Sequence, residues 1–272
     1  MRKHSMKLAI TMAMVILLGL LAVALTADEI YDLMDAEADA LAAGSMVSTI
    51  RFENTYSDGT TASNLFGSLS KPDLSLIYFI EPTDVQGTIF LTHDDPAGEE
   101  DARLWLYLPL LGIPKELVSE DERGGSFAGS SLSYEDLGDQ DQRDDYDAVL
   151  LQEEELVVGD LTRMAYVIEA TAKADADVET LRTVVWIDTE FYIMLKMEGY
   201  NDLGNLESTM EVLSLVEFEE KLTIDAMLAT NTLDESSTLI TFVDRYRPDG
   251  EISDDVFSPE SISSFDPAEW GF

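Results

Sequence analysis

Histidine is the side chain best suited to proton transfer near neutral pH, and beyond residue 24 the chain has one, His93, beside Asp94 and Asp95. A histidine-dependent triad would have to use it. Its place at the end of a strand-like run, just before two acids, is that of a turn residue. Carboxylates are far more abundant, at 55 Asp and Glu. Two facing acids can serve a glycosidase as acid and nucleophile, and Asp94-Asp95, Glu153-Glu154-Glu155 and Asp254-Asp255 are adjacent sets. In so acidic a chain such neighbours arise by chance, and they read as solvated surface. The run 139–147 (DQDQRDDYD) opens like a calcium loop with Asp139 and Asp141. Arg143 then takes the third ligand position, and residue 144 is not the glycine such a loop needs. Gly124, Gly125 and Gly129 lack a P-loop lysine and the strand–glycine–helix frame around it. With no cysteine there is no thiol nucleophile, thiolate metal site, disulfide or acylated lipobox. These residues nominate no catalytic group, no metal site and no cofactor.

Sixteen basic residues against 55 acidic ones give the 272-residue chain a formal charge of −39. Such a surface repels phosphate backbones and anionic membranes, which argues against nucleic acid as a partner. Hydrophobic residues make up 46%, enough for a packed core in spite of the charge. Only seven of the basic residues are lysines, and a lysine-poor, carboxylate-rich surface fits a salty medium that screens self-repulsion.

Arg2, Lys3 and Lys7 precede an uncharged apolar run from Leu8 to Leu25, followed by Asp28 and Glu29. That is the order of a secretory signal, with Ala22-Val23-Ala24 offering cleavage before Leu25. An uncleaved anchor is the alternative, because the run approaches the roughly 20 residues that span a bilayer. The expected organisation is a signal over 1–24 and one exported, periplasmic domain over 25–272. Losing the three basic residues would take the charge from −39 to −42.

Within that domain, Ile30, Leu33, Met34, Ala38 and Leu41 recur at helical spacing and predict an amphipathic helix over 28–43. Strand-like runs follow at 46–56, 61–70, 74–80, 87–92 and 103–108. They resume at 147–158, 161–173, 181–188, 190–199, 205–217, 221–230 and 237–246. Their spacing is that of an antiparallel meander rather than of βαβ units. Residues 109–145 show no sustained period, and the turn-rich end carries a short helical turn over 258–264, with Ser258 as N-cap and Pro259 at N1. Several strands are apolar on both sides: Trp105 and Tyr107 oppose Leu104 and Leu106, Tyr78 opposes Ile77 and Phe79, and Trp186 opposes Val185 and Ile187. Both faces of such a sheet need cover, by packed layers or by a greasy ligand.

Residues 105–137 carry a resemblance. Trp105-Leu106-Tyr107-Leu108-Pro109, then Gly125-Ser126-Phe127-Ala128-Gly129, then Ser133-Tyr134-Glu135-Asp136-Leu137 resemble the signature of the LolA-like outer-membrane lipoprotein-sorting family. Ile80-Glu81-Pro82 with Asp84 to Thr88, and Trp186-Ile187-Asp188 with Tyr192 and Lys196, are similar to further elements of it. Two departures stand out: the arginine-rich turn of the family keeps only Lys115 and Arg123 here, and Ser131 replaces an aspartate.

The resemblance implies a mainly β (α+β) fold, a curved and incompletely closed antiparallel β-barrel with a helical lid over a hydrophobic cavity. It implies a non-enzymatic exported carrier or chaperone for the acyl chains of lipoproteins or related lipids. Its partners would be an inner-membrane transporter and an outer-membrane acceptor. An envelope sensor that regulates a membrane partner from the same scaffold is the alternative. The residues expected to line the cavity are Phe66, Tyr78, Trp105, Tyr107, Trp186, Tyr192 and Met194. Gly125, Ser126, Phe127, Gly129, Ser133, Tyr134, Glu135 and Asp136 are expected to form a mobile flap, with helix capping equally open for Ser133, Glu135 and Asp136. The helix over 28–43 is the expected lid.

Overall fold

Thirteen strands pair antiparallel into one sheet, in the order β6-β5-β4-β3-β2-β1-β13-β12-β11-β10-β9-β8-β7. The structure is a computed structural model that describes residues 25–272 except 96–100, 139–142, 175, 177 and 179. The expected signal over 1–24 and the calcium-like positions Asp139 and Asp141 lie outside the described residues. One meander is built from β1 (Met46–Thr55), β2 (Thr61–Lys71), β3 (Leu74–Glu81), β4 (Ile89–His93), β5 (Arg103–Tyr107) and β6 (Pro114–Leu117). The second is β7 (Tyr146–Val158), β8 (Leu161–Ala172), β9 (Arg182–Asp188), β10 (Met194–Tyr200), β11 (Leu206–Phe218), β12 (Lys221–Asn231) and β13 (Ser236–Tyr246). Pairing of β1 with β13 joins the two, from Val47↔Tyr246 to Thr55↔Ser237. The ends of the sheet, β6 and β7, do not meet, so the barrel stays open.

The two-sided strands are covered on both sides. On one face of β1–β5, register aligns Val47, Leu69, Leu76, Leu91 and Trp105. The segment after β13 lies over them with Ile252, Phe257 and Ile262. Gly67 of β2 makes room for this segment: a Cβ there would sit 2.3 Å from the Phe272 ring. On the opposite face Phe52, Phe66, Phe79, Phe90 and Leu104 pack beneath Phe127. In the other meander, Trp186, Val184, Val167, Ala165 and Leu195 form a third cluster. Val185, Ile187 and Ile168 form a fourth against α1 (Ala27–Ala42).

The sheet is strongly curled at this end. Strands β7 and β11 are four places apart, roughly 19 Å in a flat sheet. Yet a Cβ on Gly159, in the β7–β8 turn, would lie only 3.0 Å from the carbonyl oxygen of Leu213 in β11.

Two expectations need correction. Edge strand β6 was hidden in a stretch without period, because Pro-Lys-Glu-Leu offers only one apolar side chain to the sheet. The helical turn near the end is regular only as a 3₁₀ turn over Ile262–Ser264, although Ser258 Oγ accepts from the Glu260 N–H at 3.3 Å and its carbonyl from the Ser261 N–H at 3.0 Å, as a cap would.

Candidate functional site

Helix α1 begins with a capping box. Thr26 Oγ1 accepts from the Glu29 N–H at 3.2 Å, and Glu29 Oε2 accepts from the Thr26 N–H at 2.8 Å. Asp28 and Glu29 complement the positive end of the helix dipole. Only Ala27, Ile30 and Tyr31 are buried along its 16 residues. They seat on Ile168, Val185 and Ile187, ringed by the half-buried Tyr166, Tyr192, Met194 and Met197. Burial, partly offset by the nearby Arg143 charge, pushes the Tyr31 phenol up to about 12.

From Asp35 to Ala40 the helix is exposed on all sides, and polar contacts tether it. Arg143, whose guanidinium lies 5.7 Å from the Tyr31 ring centre, pairs with Asp32 at 2.6 Å and with Asp35. Lys221 at the start of β12 reaches Glu37 at 2.8 Å, and Arg247 donates to the carbonyl of Leu41 at 2.6 Å. The helix is thus a short apolar foot with an arm held by surface charge. Exposed pairs of this kind contribute about 0–1 kcal/mol each.

The segment expected to be a flap is pinned. Phe127 is fully buried, with ring centres at 5.4 Å from Phe66 and Phe79, 5.6 Å from Phe90 and Tyr134, and 6.0 Å from Phe52. Asn54 and Asn64 both donate to the carbonyl of Ala128 at 3.3 Å. Thr238 ties in from β13, donating to Asn54 Oδ1 at 2.9 Å and accepting from the Ser131 N–H at 2.8 Å. Gly129 has a positive φ of 71°, and a Cβ there would lie 2.9 Å from the Tyr56 hydroxyl. Its glycine serves a tight turn, not mobility.

The remaining motif residues close the same knot. Gly125 accepts from the Tyr134 N–H at 3.0 Å, and Ser126 donates to the Ser130 carbonyl at 2.7 Å. Ser133 and Asp136 cap one another, the Ser133 N–H on Asp136 Oδ2 at 2.6 Å and the Asp136 N–H on Ser133 Oγ at 3.0 Å. Glu135 lies 3.6 Å from Arg123, which also donates to the Ala102 carbonyl at 2.9 Å.

The seven expected lining residues do not share a lining. Tyr78, Trp105 and Tyr107 lie under the C-terminal segment, and Phe66 belongs to the phenylalanine cluster on the opposite face. Trp186 sits in the third cluster, donating from Nε1 to Glu154 at 2.5 Å. Tyr192 and Met194 come together under α1. Strand bulges, as between Leu65 and Phe66 and between Met194 and Lys196, shift side-chain phase and divide the set. Sequence reasoning missed Ile168 and Met197, which belong to the same patch; alternation along β8 from Tyr166 was the available signal for Ile168, whereas the bulge between Met194 and Lys196 hid Met197.

Two clefts of about 520 and 550 Å³ lie elsewhere, one lined by Lys71, Asp73, His93 and Asp254, the other by Glu53, Thr61, Ser63 and Ser237. His93 is a half-buried docking residue, its Nε2 2.6 Å from the Phe257 carbonyl and its ring 4.6 Å from that of Trp105. Asp188, of the Trp-Ile-Asp motif, is buried and accepts two bonds from Arg163, at 2.6 and 2.9 Å. Burial pushes its carboxyl upward, but Arg163 and the N–H groups of Phe191 and Glu190 outweigh it and hold the carboxyl below the usual range. Among the described residues no cluster of three metal-ligating side chains occurs, and no helix is long and apolar enough to cross a membrane.

Known proteins share this architecture. A family model described as an uncharacterized protein matches residues 71–264. A DUF1329 family protein from Desulfovibrio piger superposes with a TM-score of 0.74 at 25% identity, covering 86% of this chain and 98% of that one. A putative outer membrane lipoprotein-sorting protein domain from Vibrio parahaemolyticus gives 0.69 at 25% identity, with 85% and 97% covered. A LolA superfamily protein from Nitrosomonas europaea gives 0.63 at 20% identity over 86% and 98%, a likeness of fold. Among curated proteins no relative matches.

Proposed function

The chain belongs to the DUF1329 family, and from that membership and its open LolA-like sheet we propose that it is an exported, non-enzymatic carrier that shields the acyl chains of lipoproteins or related lipids beneath α1. The observation that carries this reading is the slight seating of α1 over an apolar, methionine-containing patch. Three buried residues hold the helix, while Met34, Met194 and Met197 lie half-buried around them. Methionine adapts its shape to irregular apolar partners.

The magnitudes favour exchange of helix for lipid. Lifting α1 re-exposes Ile30 and Tyr31, at about 1.5–3 kcal/mol each, and the smaller Ala27, about 5 kcal/mol in all. An acyl chain of ~16 carbons gains on the order of 12 kcal/mol on burial, before ordering costs. The lipid therefore outbids the foot of the helix, and the helix re-covers the patch once cargo leaves. The phenylalanine cluster, with Phe127 pinned in it, is the rigid half against which this exchange takes place.

The natural absence of cysteine makes a direct test simple. Glu37→Cys with Lys221→Cys, bridged by a short bismaleimide, would fasten α1 to the start of β12. The bridged exported protein should take up no fluorescent fatty acid, and the same variant left unbridged should. Equal uptake in both, or no uptake together with no lipid in organic extracts of the purified protein, would end the proposal.

A further inference from the structure

The turn between β5 and β6 is the most exposed apolar feature among the described residues. Leu110 is 101% exposed, Ile113 67%, Leu111 63% and, just past β6, Val118 74%. Its shape is set by the backbone: the N–H groups of Leu111 and Gly112 both bond to the Leu108 carbonyl, at 2.9 and 3.1 Å. Gly112 takes a positive φ of 69°, and Pro109 and Pro114 frame the turn. The result is a small finger with aliphatic side chains on every side.

From the finger we propose that this rim of the sheet docks on the surface of a net-neutral lipid bilayer, with Leu110, Leu111 and Ile113 inserted among the headgroups. Charge selects the partner. From Leu104 to Pro114 no residue is charged, in a chain of formal charge −39. The neighbouring cations are taken up by the protein's own acids, Arg103 by Glu116 at 2.9 Å and Lys115 by Glu122. An anionic headgroup would meet no spare cation and would be repelled by the body behind the finger. A second copy of this chain would be repelled in the same way.

Geometry points to a fluid phase rather than to a protein pocket. The finger carries no aromatic or arginine anchor of the kind that dominates protein interfaces. In a meander, alternate turns share one rim, so the β10–β11 and β12–β13 turns stand on the same rim as the finger. Each offers one protruding leucine, Leu203 at 79% and Leu233 at 68% exposure. The rim thus carries three exposed aliphatic tips. The carboxylates beside them, Asp202, Asp234 and Glu235, disfavour anionic lipid again.

This deepens the carrier reading and rests on it for its purpose, delivery at a membrane, but insertion itself requires no cargo. The test uses the exported protein with phosphatidylcholine vesicles, with and without phosphatidylglycerol. Binding to the neutral vesicles should fall about a hundredfold in L110S/L111S/I113S and should weaken as phosphatidylglycerol is added. A polarity-sensitive dye on Leu111→Cys should shift to the blue on neutral vesicles, and one on Leu161→Cys, on the opposite rim, should not. Undiminished binding by the triple variant, an unshifted dye at residue 111, or binding that needs phosphatidylglycerol would overturn the proposal. So would loss of a soluble protein partner by the triple variant while vesicle binding stays the same. Fatty-acid uptake in vesicle-free solution separates the two readings. Insertion without uptake sinks the carrier and upholds the docking surface, whereas uptake without insertion does the reverse.

Discussion

Ile30→Ala should raise the affinity for an acyl chain, although it damages a packing contact. Ile30 is fully buried and makes up the centre of the foot that holds α1 to the sheet. Truncating a buried isoleucine costs about 2–5 kcal/mol. If about 2 kcal/mol of that is lost from the closed seat alone, the open, lipid-accepting form gains a factor of about thirty, and the apparent Kd falls equally. Titration with a fluorescent fatty acid at 25 °C measures it. Ile262→Ala is the control, since Ile262 is just as deeply buried but belongs to the C-terminal segment and packs in a separate cluster. It should lower stability without sharpening binding. Unchanged or weaker affinity in Ile30→Ala would refute the displaceable-helix account, and an equal gain in Ile262→Ala would reduce it to general loosening.

Phe127→Ala should cost about 3–5 kcal/mol, read from urea midpoints. A loss under about 1 kcal/mol would mean that the 126–137 segment is not pinned. Asp188→Asn should cost about 3–5 kcal/mol at neutral pH by leaving Arg163 without its buried partner. Because the folded carboxyl titrates below its unfolded value near 3.9, its contribution is complete above that value and fades as pH falls through the folded one. Thermal melts of wild type and variant should therefore converge below about pH 4, and a constant gap down to pH 2.5 would contradict the pairing. With a formal charge of −39, melting temperature should climb between low and molar potassium chloride as self-repulsion is screened, and equal melting in both would remove the salt-adaptation reading.

Twelve of the thirteen strands were legible because each carries its own apolar run between Gly, Pro or Asp turns. The helix was legible from its 3.6-residue period. Two-sidedness was legible too, since alternation along 104–107 or 184–187 is a local property. What joins distant residues was not. The expected cavity grouped Trp105 with Trp186, yet each strand's phase relative to its neighbours depends on bulges such as that between Leu150 and Gln152, which no local pattern reveals. The glycines at 124–129 suggested motion because their partners were invisible: Asn54, Asn64 and Tyr56 lie some 65 to 75 residues away along the chain and close the loop from β1, β2 and their turn. Similarly, the turn-rich C-terminal segment gave no hint that Phe257 and Ile262 would roof five strands.

An unclosed sheet has borders, and the longer one here is β7, thirteen residues with no strand beyond it among the described residues. Val149, Leu151 and Val157 stand exposed on it, interspersed with Asp147, Glu153 and Glu155. Backbone groups along such a border invite the same border of another molecule, and like charge is what keeps the two apart. Acid strong enough to neutralise those carboxylates would take the fence down, and two molecules would zip together along β7 into a closed pair.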